Sequence, residues 1–217
     1  MVARSNALPR SFWIGSSLAF SVLGLALVVS LLQNARPKIS PLPVISRVAD
    51  FTLTNQDNQV TTLADFTNHV WVADIIFTRC AGPCPRLTLQ MKSLAEKLPA
   101  TSSAKLVTLT TDPGHDTPEV LKKYGARGNA DFSRWSFLTG DKKEIAALAS
   151  GSLKLSSQPV RLEEQKSVAD LFIHGTLFVV VDKRAQMRAY FETDGADWTN
   201  GVLPKILATV RELENEP

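Results

Sequence analysis

Two cysteines are all that this chain has, and both fall in one stretch, IIFTRCAGPCPRLTLQM, from Ile75 to Met91. Cys80 and Cys84 have three residues between them, where an apolar run ends and a helical pattern begins. Thiols at that spacing can close a structural disulfide, cycle as a redox pair, or offer two soft ligands to a metal. A lone pair is too little to staple a scaffold, which favours a chemically active role over a bracing one. The C-x-x-x-C spacing has one residue more than the C-x-x-C of redox thioredoxins. The wider loop suits a reversible disulfide and also a metal held between two sulfurs, Cu(I) by preference and zinc as well, so a third ligand matters.

Three histidines are available. His69, in FTNHVWV, precedes a strand at the end opposite the cysteines and reads as a solvated loop residue. His115, in DPGHDTP, follows the carboxyl end of the next strand and reads as a surface residue that could approach the site. His174, in FIHGTLFVVV, immediately precedes the late strand Leu177 to Val181 and is the strongest candidate to join the thiols.

The elements that must position these residues alternate in type. VWVADIIF (70–77) and AKLVTLTT (104–111) read as buried strands, and CPRLTLQMKSLAEKL between them puts Leu87, Met91, Leu94 and Leu98 on one helical face, a βαβ crossover. Before it, residues 49–66 alternate about a polar turn at Asn55 to Asn58, as a hairpin does. After it, Thr117 as N-cap, Pro118 at N1 and Gly125 as a stop predict a short helix, and Asp141 to Gly151 predicts another. TLFVVVD and QMRAYFE read as strands about a turn at 183–185, and GVLPKILATVRELE as a closing helix. A βαβ unit followed by ββα is the plan of an α/β, thioredoxin-like domain. Both thiols then sit at a strand-to-helix junction, the ligand edge of an open sheet, where the helix N-terminus is expected to lower a thiol pKa. In such a domain the loop before the late strand faces the cysteine loop, and redox members carry a cis-proline there. This chain has no proline near His174, so Cys80, Cys84 and His174 form a plausible S₂N ligand set.

Outside that domain, Phe12 to Leu32 carries no charge and is long enough to cross a bilayer, which predicts an N-terminal transmembrane anchor after a short segment at 1–11; a cleaved signal peptide is the alternative, for which the run is long and a small-x-small cleavage site is wanting. Residues 33–47, with Pro37, Pro41 and Pro43, read as an extended tether, leaving 48–217 as the folded domain. The 24 basic and 21 acidic residues are scattered, net +3, with no basic cluster, which argues against nucleic acid as a partner.

At this level the chain resembles the Sco/SenC family, membrane-anchored thioredoxin-like copper proteins that assist assembly of the Cu-A centre of cytochrome c oxidase. The resemblance lies in FTRCAGPCP, TTDPGHDTPEVLKKYG, FLTG (137–140) and HGTLFVVVD (174–182), and covers most of the chain from about Val48. It implies copper ion bound by Cys80, Cys84 and His174, cysteines able to form a reversible disulfide, and Asp112 as a neighbour of the site. It also implies a cytochrome c oxidase Cu-A subunit, or another cuproprotein, as acceptor. The same resemblance admits a thiol-disulfide oxidoreductase that keeps the acceptor's cysteines reduced. Either role asks for the domain to face the periplasm or the mitochondrial intermembrane space, and a short N-terminus without an Arg/Ser-rich transit peptide favours a bacterial inner membrane with the domain in the periplasm. Peroxide reduction fits less well, because Thr78 stands only two residues before Cys80. Ala81, His115, Ile173 and Gly175 depart from residues usual in the family, and the segment 150–172 lacks the aromatic residues expected there.

Overall fold

The computed structural model describes Ser21, residues 23–28, 42–155, 157–159, 172–174, 176–194 and 197–216, with 157–159 and 172–174 described by backbone alone. Of the anchor expected over 12–32, Ser21 and residues 23–28 are helical and the remainder lies outside the described residues. No helix among those described is long and apolar enough to cross a membrane.

The described residues from Leu42 to Glu216 form one compact unit. A short β1 (Ser46–Arg47) lies within the range read as tether and pairs with a late strand. Next come β2 (Thr52–Asn55) and β3 (Val60–Thr62), the expected hairpin, whose turn holds Asn58 at φ 57, a conformation that Asn tolerates better than most residues. β4 (Trp71–Ile76), α1 (Cys84–Lys97) and β5 (Lys105–Thr110) make the parallel crossover. α2 (Pro118–Arg127) leads to β6 (Trp135–Thr139), and α3 (Lys142–Ala146), capped by Asp141, runs on into a wider turn over Ala147–Ser152. β7 (Ser157–Pro159) and β8 (Phe172–His174) pair as a separate ribbon. β9 (Leu177–Val181), β10 (Gln186–Glu192) and α4 (Leu203–Glu214) complete the unit.

Eight strands join one sheet in the order β1-β10-β9-β4-β5-β6-β2-β3. Every residue of β4 is buried, as expected of a central strand covered on both faces. On one face Val72 and Ile76 pack with Leu87, Met91 and Leu94 of α1 and with Ile206, Val210 and Leu213 of α4. Each such fully buried side chain contributes about 1.5–3 kcal/mol. The opposite face packs Trp71, Ala73 and Ile75 against Phe66, Leu138 and Leu148. The Arg188 guanidinium, buried beside the far edge, bonds Asp182 and Glu216 at 2.8 and 3.0 Å and the Leu42 carbonyl at 2.6 Å, tying the incoming chain and the carboxyl-terminal turn to the same strand.

Gly125 does not stop a helix. α2 continues to Arg127, and Gly125 sits inside it because its bare Cα lies against two aromatic rings: a Cβ there would come within 2.8 Å of Phe132 and 2.9 Å of Phe137. Phe137 cannot yield, being fully buried and stacked on Trp135 at 4.8 Å between centroids. Alanine gains about 1 kcal/mol of helix propensity, but overpacking costs roughly 1–3 kcal/mol. Gly125→Ala is therefore expected to lower stability by about 1 kcal/mol in urea denaturation; a more stable variant would show that the rings have room to move.

Candidate metal centre

β4 ends at Ile76, and the chain turns through Phe77 to Cys80, whose backbone N–H donates to the Phe77 carbonyl at 3.2 Å. Cys84 is the first residue of α1, with Pro83 before it and Pro85 after it, both compatible with a helix start where backbone N–H groups have no helical partner. The two thiols are unbridged and close enough for Cys80 to influence the ionisation of Cys84. Cys84 is fully buried, whereas Cys80 keeps 6% exposure and its Sγ accepts the Gly82 N–H at 3.3 Å.

The environment of Cys84 corrects one sequence expectation. Burial, then the hydrogen bond to Cys80, pushes its thiol well above the ordinary thiol range, against a Phe77 backbone hydrogen bond that pulls the other way. A helix N-terminus favours a thiolate, but at full burial the loss of hydration is larger. Thr88 hydroxyl donates to the Cys84 carbonyl at 3.0 Å and shares a 2.8 Å hydrogen bond with the Tyr124 hydroxyl. Burial pushes Tyr124 up to about 12, with Thr88 opposing.

Two acids that the sequence reading did not single out, Asp116 and Asp74, are buried near the thiols, and Asp116 supports their loop. Asp116, fully buried, accepts from the Thr78 backbone N–H at 3.0 Å, the Thr78 hydroxyl at 2.5 Å and the Thr110 hydroxyl at 2.5 Å. It thereby fastens the residue two positions before Cys80 to the loop after β5. Asp112, expected near the site, instead pairs at 2.5 Å with the partly exposed Arg79, a second link between the same two loops. Asp74 lies on β4 beneath α1, sharing the face of Val72 and Ile76 by strand alternation. Its Oδ1 accepts from Thr108 at 2.6 Å, that hydroxyl accepts from Trp135 Nε1 at 2.9 Å, and Oδ2 has no hydrogen-bond partner among the described residues. Burial pushes Asp74 up to about 7, with Thr108 opposing, and its charge disfavours ionisation of Cys84 and Tyr124. The signal for Asp74 was present in the sequence as one acid inside the otherwise apolar VWVADIIF.

Of the histidines, His69 lies before β4 at the far end, its Nδ1 3.0 Å from the Ser103 carbonyl, and His115 is an exposed loop residue. His174 ends β8, its backbone paired with Ser157, rather than standing in an open loop before β9; its side chain lies outside the described residues. The structure thus brings Cys80 and Cys84 together. Among the described residues no cluster of three or more metal-binding side chains occurs. Two adjacent, unbridged sulfurs are nonetheless a donor set that soft metals prefer.

A parallel crossover with a thiol pair at its strand-to-helix turn, followed by a β-hairpin and a helix, defines a thioredoxin-like domain. Within that class the SCO1/SenC family profile matches residues 43–206. The chain belongs to the SCO1/SenC family. It is 35% identical over 141 residues to the SCO1 protein homolog of Bacillus subtilis, covering 64% of this chain and 70% of the relative. A protein of Stutzerimonas stutzeri provisionally named copper-binding is 30% identical over 212 residues, covering 95% of this chain and 98% of the relative. Among solved structures BsSco, a Sco family cytochrome c oxidase assembly protein in which a disulfide switch was identified, superposes with a TM-score of 0.66 at 29% identity, over 82% of this chain and 98% of that one.

Proposed function

We propose that this protein is a copper chaperone that carries copper on Cys80, Cys84 and His174 and delivers it to the Cu-A centre of cytochrome c oxidase or to another cuproprotein. The observation that carries this reading is the pair of neighbouring, unbridged thiols at the ligand edge of the sheet. Family membership and the copper-binding name of the Stutzerimonas relative support copper as the cargo. Copper-bound thiolates need no proton, so metal binding offsets the burial that disfavours ionisation of Cys84. Few ligands and a loop at the surface suit a carrier that must release its ion by ligand exchange. The uncharged run at 12–32 anchors the chain in a bacterial inner membrane, and the residues between it and the domain tether that domain on the periplasmic side.

The second reading is a thiol-disulfide oxidoreductase that reduces the acceptor's copper-binding cysteines. The different exposure of the two sulfurs favours it: Cys80 is the more accessible and attacks, and Cys84, buried against it, resolves the mixed disulfide.

Anaerobic Cu(I) titration of the reduced full-length chain separates the two. One copper per chain is expected, with affinity weakened about 100-fold or more in Cys84→Ser and in His174→Ala, since even the neighbours of metal ligands are worth 10–100-fold. Unchanged affinity in His174→Ala removes that residue from the ligand set. A wild-type chain that binds no copper but exchanges readily with small disulfides selects the oxidoreductase.

A further inference from the structure

A shallow groove of about 280 Å³ opens beside the thiols, lined by Thr78, Pro85, Leu89, Tyr124, Arg127 and Gly128 among others. Three of its lining residues belong to the thiol segment: Thr78 stands two before Cys80, Pro85 directly follows Cys84, and the Thr88 hydroxyl donates to the Cys84 carbonyl. Whatever occupies the groove therefore lies against the segments that carry both thiols, although neither cysteine lines it. Leu89 projects from α1 with 62% exposure, although its neighbours Thr88 and Gln90 are buried. Arg127 also lines it; it is exposed, its Nε donates to the Lys123 carbonyl at 3.3 Å, and among the described residues it forms no ion pair. Arg79 and Arg86 stand close in sequence to Thr78 and Pro85, each in a surface pair of the kind that holds little energy.

Small-molecule sites usually enclose about 300–1,000 Å³, so this groove is sized for a side chain rather than for a cofactor. We propose that it docks an extended segment of the acceptor protein, which places one apolar side chain against Leu89 and Tyr124 and a carboxylate on Arg127 while its cysteines meet Cys80. The occupant follows from the thiol-segment residues that line the groove and from Arg127, which forms no ion pair among the described residues. The inference rests on the reading that Cys80 and Cys84 meet an acceptor's cysteines.

The exchange used to test it balances. The Cys80 sulfur bonds to one sulfur of a disulfide peptide, whose S–S bond breaks, and the Cys84 sulfur then displaces the peptide. The protein gains a Cys80–Cys84 disulfide, and the peptide leaves as a dithiol with the two electrons and two protons that the protein gives up.

The reduced full-length chain is mixed with hydroxyethyl disulfide and with synthetic peptides closed by a Cys-x-x-x-Cys disulfide. One peptide carries leucine and then glutamate after its second cysteine, one carries leucine and lysine, and one alanine and lysine. The leucine-glutamate peptide should be reduced about tenfold faster than the alanine-lysine peptide, the scale of a modest anchor contact. Leu89→Glu and Arg127→Glu should erase most of that preference, and Arg127→Glu should turn instead toward the leucine-lysine peptide. Val60→Glu, replacing a residue 71% exposed on β3, should keep the wild-type preference. A wild-type chain that reduces hydroxyethyl disulfide but treats the peptides alike overturns the groove alone, as do Leu89→Glu and Arg127→Glu variants that retain the preference. Inertness toward every disulfide overturns the underlying exchange reading, and the groove with it.

Discussion

Asp116→Ala should destabilise the protein by about 4 kcal/mol and loosen the cysteine loop in whatever fraction still folds. The carboxylate has no exposure and satisfies three donors, Thr78 N–H, Thr78 Oγ1 and Thr110 Oγ1. Truncation removes the acceptor and strands donors away from water, at about 1–3 kcal/mol for each one left unsatisfied. Some of this is recovered where a hydroxyl turns to another partner, which sets the total near 4 rather than higher. Thr78→Val separates the fold from the site: the shape is kept, the backbone N–H still reaches Asp116, and one hydroxyl bond is lost, for about 1 kcal/mol. Urea denaturation measures both costs. Reactivity of Cys80 toward a small disulfide, compared between folded Thr78→Val and wild type, reports whether the clasp fixes the loop. An Asp116→Ala chain as stable as wild type would falsify the role given to this network.

The history of Asp116 shows where sequence reading stops. The segment DPGHDTP drew attention to Asp112 and His115, yet both face outward in part, Asp112 toward Arg79 and His115 toward solvent. Asp116 gains its role from the parallel register of β4 and β5, which sets Ile76 beside Thr110 and so brings Thr78 to the loop that follows. No local pattern encodes a register between strands separated by a helix. The helices and the two central strands were legible because their periodicity is local: α1 needs only its apolar residues at helical spacing and the prolines at its start. β6 was missed because WSFLT is short, and its partners β5 and β2 lie far away in sequence. Gly125 was misread as a helix stop for a similar reason, since what demands glycine there is the approach of Phe132 and Phe137. The thiols were placed correctly at the strand-to-helix turn, but their ionisation was not foreseen. Spacing reports the nearness of a helix end and is silent about the depth of the core above it.

Asp74 should make the protein lose stability as pH rises from about 4 to about 7, the reverse of the usual behaviour of a paired carboxylate. Burial raises its pKa from 3.8 to about 7, with Thr108 and its own backbone opposing. Across that interval the folded chain holds a proton that the unfolded chain has released, so each rise in pH favours unfolding. Below the unfolded value both forms are protonated and the penalty vanishes; above the folded value it is constant. At 1.36 kcal/mol per pKa unit the full loss is about 4 kcal/mol, of which on the order of 3 falls between pH 5 and pH 8. Asp57, Asp131, Glu119 and Asp197, held below their usual range by hydrogen bonds from Lys122, Ser133, Lys123 and Asn200, act in the opposite sense but titrate below that window. The charged or titratable neighbours Cys84 and Tyr124 stay protonated throughout it, because burial pushes both upward. Asp74→Asn keeps an acceptor for Thr108 and has no proton to lose. Urea denaturation of the reduced chain at pH 5 and pH 8 should therefore show a drop of about 3 kcal/mol in wild type and most of it abolished in Asp74→Asn. Parallel pH profiles in the two proteins would mean that Asp74 ionises in the fold without penalty and that its Oδ2 has found a partner. The expected profile implies that an acid costing stability at neutral pH sits under the thiol pair, where its negative charge weakens ionisation of Cys84 in the free protein and is offset when a cation binds the sulfurs. On the proposed reading that Cys80 and Cys84 carry copper, loading the metal should recover part of the stability lost at pH 8.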